Sequence, residues 1–144
     1  MSSPFLRRSP QVKRLFENPM EVEKEYFRRT GIFPIMHTVA IRQPLYDAHP
    51  WLARSLFKAF NEAQELSWAG VYGAPAVRYK LAWLQLYLEE ERALLGAHAW
   101  ANGADHNRKT VELLSRYAVE QGMIEEAPPF ETLFAPNTLD TFKI

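Results

Sequence analysis

One short stretch of this sequence constrains its fold more than any other: Ile35-Met36-His37-Thr38-Val39-Ala40-Ile41. It is apolar and rich in β-branched residues, and it lacks strict alternation of polar and apolar positions. That is the pattern of a strand covered on both faces. Pro34 suits its entrance, where no ladder donor is required. A strand by itself cannot satisfy its own N–H and C=O groups. Its partners must therefore lie in a segment of this chain that reads as something else, in a second subunit, or in sequence outside these 144 residues.

The remaining patterned segments read as helices. Asn18-Pro19 marks a start, with Pro19 at the first helical position and Glu21 three residues past Asn18 as in a capping box. The helix covers Met20–Arg29, acidic first and basic last, and Gly31 ends it. After a short turn at Gln43-Pro44, Pro50 opens a second helix. Its apolar stripe is Leu52, Leu56, Phe60, Ala63 and Leu66. Ala69–Tyr79, with Gly70, Gly73 and Pro75, reads as a loop. A third helix runs from about Lys80 to Leu95, with Leu81, Leu84, Tyr87 and Leu88 inward, and Gly96 closes it. Residues 97–104 connect to a fourth helix capped by Asp105, with Val111, Leu114, Tyr117 and Ala118 as its stripe and Gly122 as its stop. Pro128-Pro129 break the chain. A turn at Phe130–Phe134 and an extended end, Thr138–Ile144, complete it.

Composition narrows the function classes. Lys plus Arg number 17 and Asp plus Glu number 17, so no basic face is implied and a nucleic-acid partner is not expected. The chain has no cysteine, which removes disulfides, cysteine–zinc sites, iron–sulfur clusters and thiol nucleophiles. No apolar run approaches the ~20 residues that span a bilayer, and the basic N-terminus has no apolar core of the signal-peptide kind. These features predict a cytoplasmic protein with no membrane partner. Residues 1–16 read as a poorly ordered lead-in, followed by one domain or domain portion over 17–144. The four tryptophans, Trp51, Trp68, Trp83 and Trp100, are read as packing or interface residues.

The run EKEYFRRTGIFPIMHTVAIRQPLYDAHPWLARSLFKAF, the run NRKTVELLSRYAVEQG and the ending LFAPNTLDTFKI closely resemble the C-terminal part of the 4,5-dihydroxyphthalate decarboxylase family. The most specific pieces are Arg28-Arg29-Thr30-Gly31-Ile32-Phe33-Pro34-Ile35-Met36-His37 and the terminal Thr138–Ile144. The resemblance implies an α/β fold, namely the C-terminal portion of a type II periplasmic-binding-protein-like architecture. In that architecture two lobes are joined by crossing strands around a ligand. On this reading the chain is mostly helical with one principal strand, Ile35–Ile41, returning between lobes. Its parallel neighbours would precede Met1, and the chain would be a truncated portion of a longer protein.

The resemblance also implies the chemistry. Loss of carbon dioxide from an aromatic ring calls for a general acid near the ring carbon, an acceptor near the phenol and a cation for the second carboxylate. His37, which interrupts an apolar strand, is the expected proton carrier. Arg28, Arg29 and Thr30, just before the strand, and Met36, beside His37, are the expected substrate-binding residues. No cofactor and no metal are expected: His98, Asp105 and His106 lack metal-ligand spacing. Glu89-Glu90-Glu91 reads as a solvated helix face.

Three functional classes follow. The first is a decarboxylase-like enzyme acting on a small dihydroxylated aromatic dicarboxylate. The second is a solute-binding protein without turnover, since fold alone does not decide function. The third is a portion inactive by itself. An unpaired apolar strand further predicts a homo-oligomer, or strand exchange through residues 35–41.

Overall fold

A computed structural model of the chain describes residues 9–73, 79–97 and 100–139. The order of elements is α1 (Pro19–Thr30), α2 (Gln43–Ala48), α3 (Trp51–Tyr72), α4 (Leu84–Leu95), α5 (Ala104–Glu120) and two 3₁₀ turns, Phe130–Leu133 and Pro136–Thr138. The chain divides into two units, Met1–Ile32 and Phe33–Ile144. Of the sequence expectations, the first half of the lead-in (residues 1–8), the centre of the Ala69–Tyr79 loop (residues 74–78), His98 and the last five residues of the Thr138–Ile144 end lie outside the described residues.

The first unit is organised by α1. Pro19 occupies the first turn and Gly31 closes the helix in the left-handed region, φ 64°, its N–H donating to the Phe27 carbonyl. This is the glycine-terminated end that the sequence predicts, because only glycine takes that backbone without Cβ strain. The capping box does not form. Asn18 makes no side-chain cap, and Glu21 pairs instead with Lys24 at 3.0 Å. A lysine one turn further on competes for the carboxylate as an i,i+3 partner.

The second unit is built on α3, which packs against α2 and the second 3₁₀ turn, while α5 packs against the first 3₁₀ turn. Helix α3 runs to Tyr72, four residues into the segment expected to be loop, and Gly70 is buried inside it. A single helical glycine costs only about 1 kcal/mol relative to alanine, too little by itself to end a long helix. Helix α4 begins at Leu84 rather than Lys80, with Ala82 and Trp83 in a turn. Asp105 is inside α5 rather than at its cap: Gly103, at φ 108°, stands there. A Cβ on Gly103 would meet the Phe57 ring at 3.3 Å, so backbone conformation and close approach to α3 both require glycine.

The strand expected over Ile35–Ile41 is not formed. Residues 31–42 carry no regular structure, and no segment of the described residues lies in a ladder. A strand exists only as a pair. The described remainder of the chain is helix, turn, bend and irregular loop, and none of it is paired with Ile35–Ile41.

The core is correspondingly thin. Within the second unit Ala53, Ala104 and Phe130 are buried. The stripe expected to face inward on α3 is covered only at its start: Leu52 and Leu56 are half-buried, whereas Phe60 and Ala63 are exposed and Leu66 is 74% exposed. The same holds at Leu81, Tyr87 and Leu114, and at Trp51 and Trp83. No helix among the described residues is long and apolar enough to cross a membrane.

Two polar devices hold the C-terminal turns. Asn137 donates to the Pro50 carbonyl at 2.8 Å, tying the second turn to the start of α3. Arg108 lies over the Phe130 ring, 3.8 Å from its centroid, and pairs with Glu131 at 3.0 Å and Glu112 at 3.6 Å. The Glu131 backbone N–H and the Arg108 guanidinium hold the Glu131 carboxyl below the usual carboxylate range. A lowered folded value means that this contribution is complete above the ordinary glutamate value of roughly 4.3 and fades as pH falls below it. Glu131→Gln is therefore expected to lower the thermal midpoint slightly at pH 7 and to leave it nearly unchanged near pH 3. An equal gap at both pH values would contradict the pairing.

Candidate functional site

The candidate site is the non-helical segment between α1 and α2, because it carries His37 among exposed apolar residues. Local sequence explains why it escapes helix. Gly31 ends α1, Pro34 cannot continue one and disfavours helical backbone at Phe33, and Val39 and Ile41 are β-branched. The segment re-enters regular structure at Arg42, whose carbonyl accepts from Leu45 and Tyr46 N–H at 2.9 and 3.1 Å to start α2.

One strong contact positions it. The Phe33 ring meets the edge of Trp100, centroids 4.7 Å apart and planes at 82°, a favoured geometry for aromatic pairs. Trp100 is itself fixed by polar groups of the second unit. Its indole N–H donates to Glu91 at 3.2 Å, and its carbonyl accepts from Gln64 Nε2 at 2.6 Å. Asn102 Nδ2 bridges Asn61 Oδ1 and Gln64 Oε1 at 3.2 and 3.3 Å. Asn107 closes the connector by donating to the Ala101 and Gly103 carbonyls at 2.9 and 2.8 Å. The side-chain amides thus replace the backbone partners that an irregular connector lacks.

Past Phe33 the support stops. Ile35 is 36% exposed, Met36 64% and Val39 61%, and His37, Thr38 and Ala40 are also exposed, with Ile41 half-buried. Among the described residues, none of the backbone groups of 33–41 is hydrogen-bonded to another segment. His37 is therefore accessible and stands beside Met36, without a side-chain hydrogen bond among the described residues.

The other expected site residues belong to the first unit. Arg28 and Arg29 are exposed in the last turn of α1. Arg28 pairs with Glu25 at 3.7 Å, and the Arg29 guanidinium lies 5.7 Å from the centroid of the Tyr26 ring. The Thr30 hydroxyl donates to the Tyr26 carbonyl at 2.6 Å and accepts from Ile32 N–H at 3.2 Å, so it shapes the turn that leads out of α1. The two arginines and Thr30 thus share one helical turn, while Met36 and His37 lie together in the other unit.

Other places offer less chemistry. The groove lined by Lys58, Asn61, Glu62, Glu65 and Leu66 is one face of α3, and Lys58 and Glu62 largely neutralise each other there at 3.8 Å. Among the described residues no group of three His, Asp or Glu side chains could share a metal ion. The residues that sequence reasoning missed are supports: Gln64, Asn102 and Asn107, which hold Trp100 and its connector. Their only signal was asparagine and glycine crowded between two helices.

Over 97% of its length this chain is 36% identical to the 4,5-dihydroxyphthalate decarboxylase of Comamonas testosteroni, with 141 residues matched. That match supports a family relationship over the stretch concerned. The chain spans 42% of the length of that relative. No family model matches the chain.

The placement of the segment is testable by contrast. Phe33→Ala is expected to cost about 1–3 kcal/mol in dilute solution, below the ~3–5 of a fully buried ring because Phe33 is half-buried. Ile35→Ala should cost under about 0.5 kcal/mol. Chemical denaturation measures both, and equal losses would mean that the segment is packed along its whole length.

Proposed function

We propose that this chain is the C-terminal portion of a decarboxylase-like protein that removes carbon dioxide from a dihydroxylated aromatic dicarboxylate. The observation that carries this reading is the 36% identity sustained over 97% of the chain. The accessible His37 on an otherwise apolar segment is in keeping with it. The solute-binding alternative has no comparable support.

On this reading His37 is the general acid. It delivers a proton to the ring carbon that bears the carboxylate, while the para hydroxyl gives its proton to solvent and becomes the carbonyl of a dienone. The carbon–carbon bond to the carboxylate then breaks. Its electron pair restores the aromatic ring, the para oxygen takes a proton back from solvent, and carbon dioxide leaves. Arg28 and Arg29 supply the positive charge for the second carboxylate, a role suited to a guanidinium fork. Met36 lines the apolar side of the ring. The fold belongs to the same proposal: Ile35–Ile41 is a sheet member of a two-lobe α/β protein, and the portion of the relative outside the match supplies its neighbours.

The test is carbon dioxide release from 4,5-dihydroxyphthalate. This chain alone is expected to show no turnover. Combined with a polypeptide corresponding to the unmatched portion of the relative it should turn over, and His37→Ala should lower that rate by about 10²–10⁴-fold, the usual worth of a positioned acid. No release from the combination would overturn the functional reading. Undiminished release by His37→Ala would overturn the role of the histidine.

A further inference from the structure

We infer that the segment 35–41 is a self-complementary pairing site, and that its occupant in the isolated chain is a second copy of the same segment, antiparallel about a two-fold axis through Thr38. The inference stands apart from the proposed activity and rests on the segment itself.

The first support is unmet demand. The backbone groups of 33–41 are unbonded to any other segment of the described residues, and apolar Ile35, Met36 and Val39 are exposed. Such a stretch is a ready template for strand addition.

The second support is register. With Thr38 opposite the partner subunit's Thr38, Ile35 faces the partner subunit's Ile41, Met36 faces the partner subunit's Ala40 and His37 faces the partner subunit's Val39. Side chains alternate between faces. One face of the ribbon then carries Ile35, His37, Val39 and Ile41 from both copies, and the other carries Met36, Thr38 and Ala40. Threonine opposite threonine and β-branched opposite β-branched are favourable cross-strand pairs.

The third support is charge and termination. Residues 32–41 contain no Asp, Glu, Lys or Arg, so two copies meet without repulsion between permanent charges. Arg42 falls opposite Pro34, which places the two arginines at opposite ends of the ribbon. Pro34, lacking an N–H, stands at the ladder end, where no donor is called for.

The fourth support is preorganisation. A two-stranded ribbon is marginal by itself. Here each strand is anchored at both ends, by Phe33 on Trp100 and by the Arg42 carbonyl at the start of α2, so pairing orders only the residues between.

The chain has no cysteine, so introduced thiols report the register directly. Residues directly opposite in an antiparallel pair have Cβ atoms about 4.5–5.5 Å apart, close to disulfide reach. Under a mild oxidant, Thr38→Cys is expected to form a covalent dimer within minutes. Met36→Cys alone should not, whereas Met36→Cys mixed with Ala40→Cys should give the mixed dimer. Circular dichroism should show unchanged helix content in all three variants, and light scattering should show the unmodified chain passing from monomer to dimer with concentration. A monomer at every concentration would overturn the inference and leave the segment to a different polypeptide. Cross-linking at equal rates by all single-cysteine variants would overturn the register.

Discussion

Backbone hydrogen bonding governs how this molecule is put together. A helix satisfies its N–H and C=O groups within itself, so α1 to α5 form from the chain at hand. An apolar, β-branched segment can do so only across a ladder. Between α1 and α2 the sequence supplies such a segment and the described residues supply no neighbour. What remains is Phe33 locked on Trp100, Arg42 locked into α2, and eight residues between them whose apolar side chains are exposed except for half-buried Ile41. The thin core has the same origin. Leu66 on α3 and Trp83 before α4 are exposed because nothing described lies across from them.

Local chemistry was well written in the sequence. Gly31, Gly96 and Gly122 each end a helix at positive φ, and Pro19 sits in a first turn, whereas Gln43-Pro44, read as a turn, starts the short helix α2. Helix α1 was legible nearly to the residue, since start, charge order and stop are all encoded within one turn of the ends. Competition between partners was less legible. Glu21 turned to Lys24 rather than back to Asn18, and Asp105 gave up the cap to Gly103. Least legible was burial. Apolar spacing along α3 reveals which face wants to be covered, but not whether the covering element exists, and Phe60, Ala63 and Leu66 remain exposed.

The site was legible to the same partial degree. His37 stood out as a polar residue in an apolar run, and it is accessible, next to Met36. The supports of its segment were not readable, because an asparagine that bonds a carbonyl forty residues away carries no local pattern. Gln64 reaching the Trp100 carbonyl, and Asn102 reaching Asn61, depend on the way the connector folds over α3. The identity to the Comamonas testosteroni decarboxylase covers 97% of this chain and 42% of that relative, and within the matched chain the segment 35–41 is largely exposed.

Amide hydrogen exchange resolved to single residues across 33–41, followed over a dilution series, tests that account most directly. At high concentration alternate amides of 35–41 should exchange slowly, as in a ladder, and on dilution they should become as fast as an open chain while α3 keeps its protection. Amides equally fast at every concentration would contradict the need for a neighbour, and amides still slow at extreme dilution would show that the monomer satisfies the segment by itself.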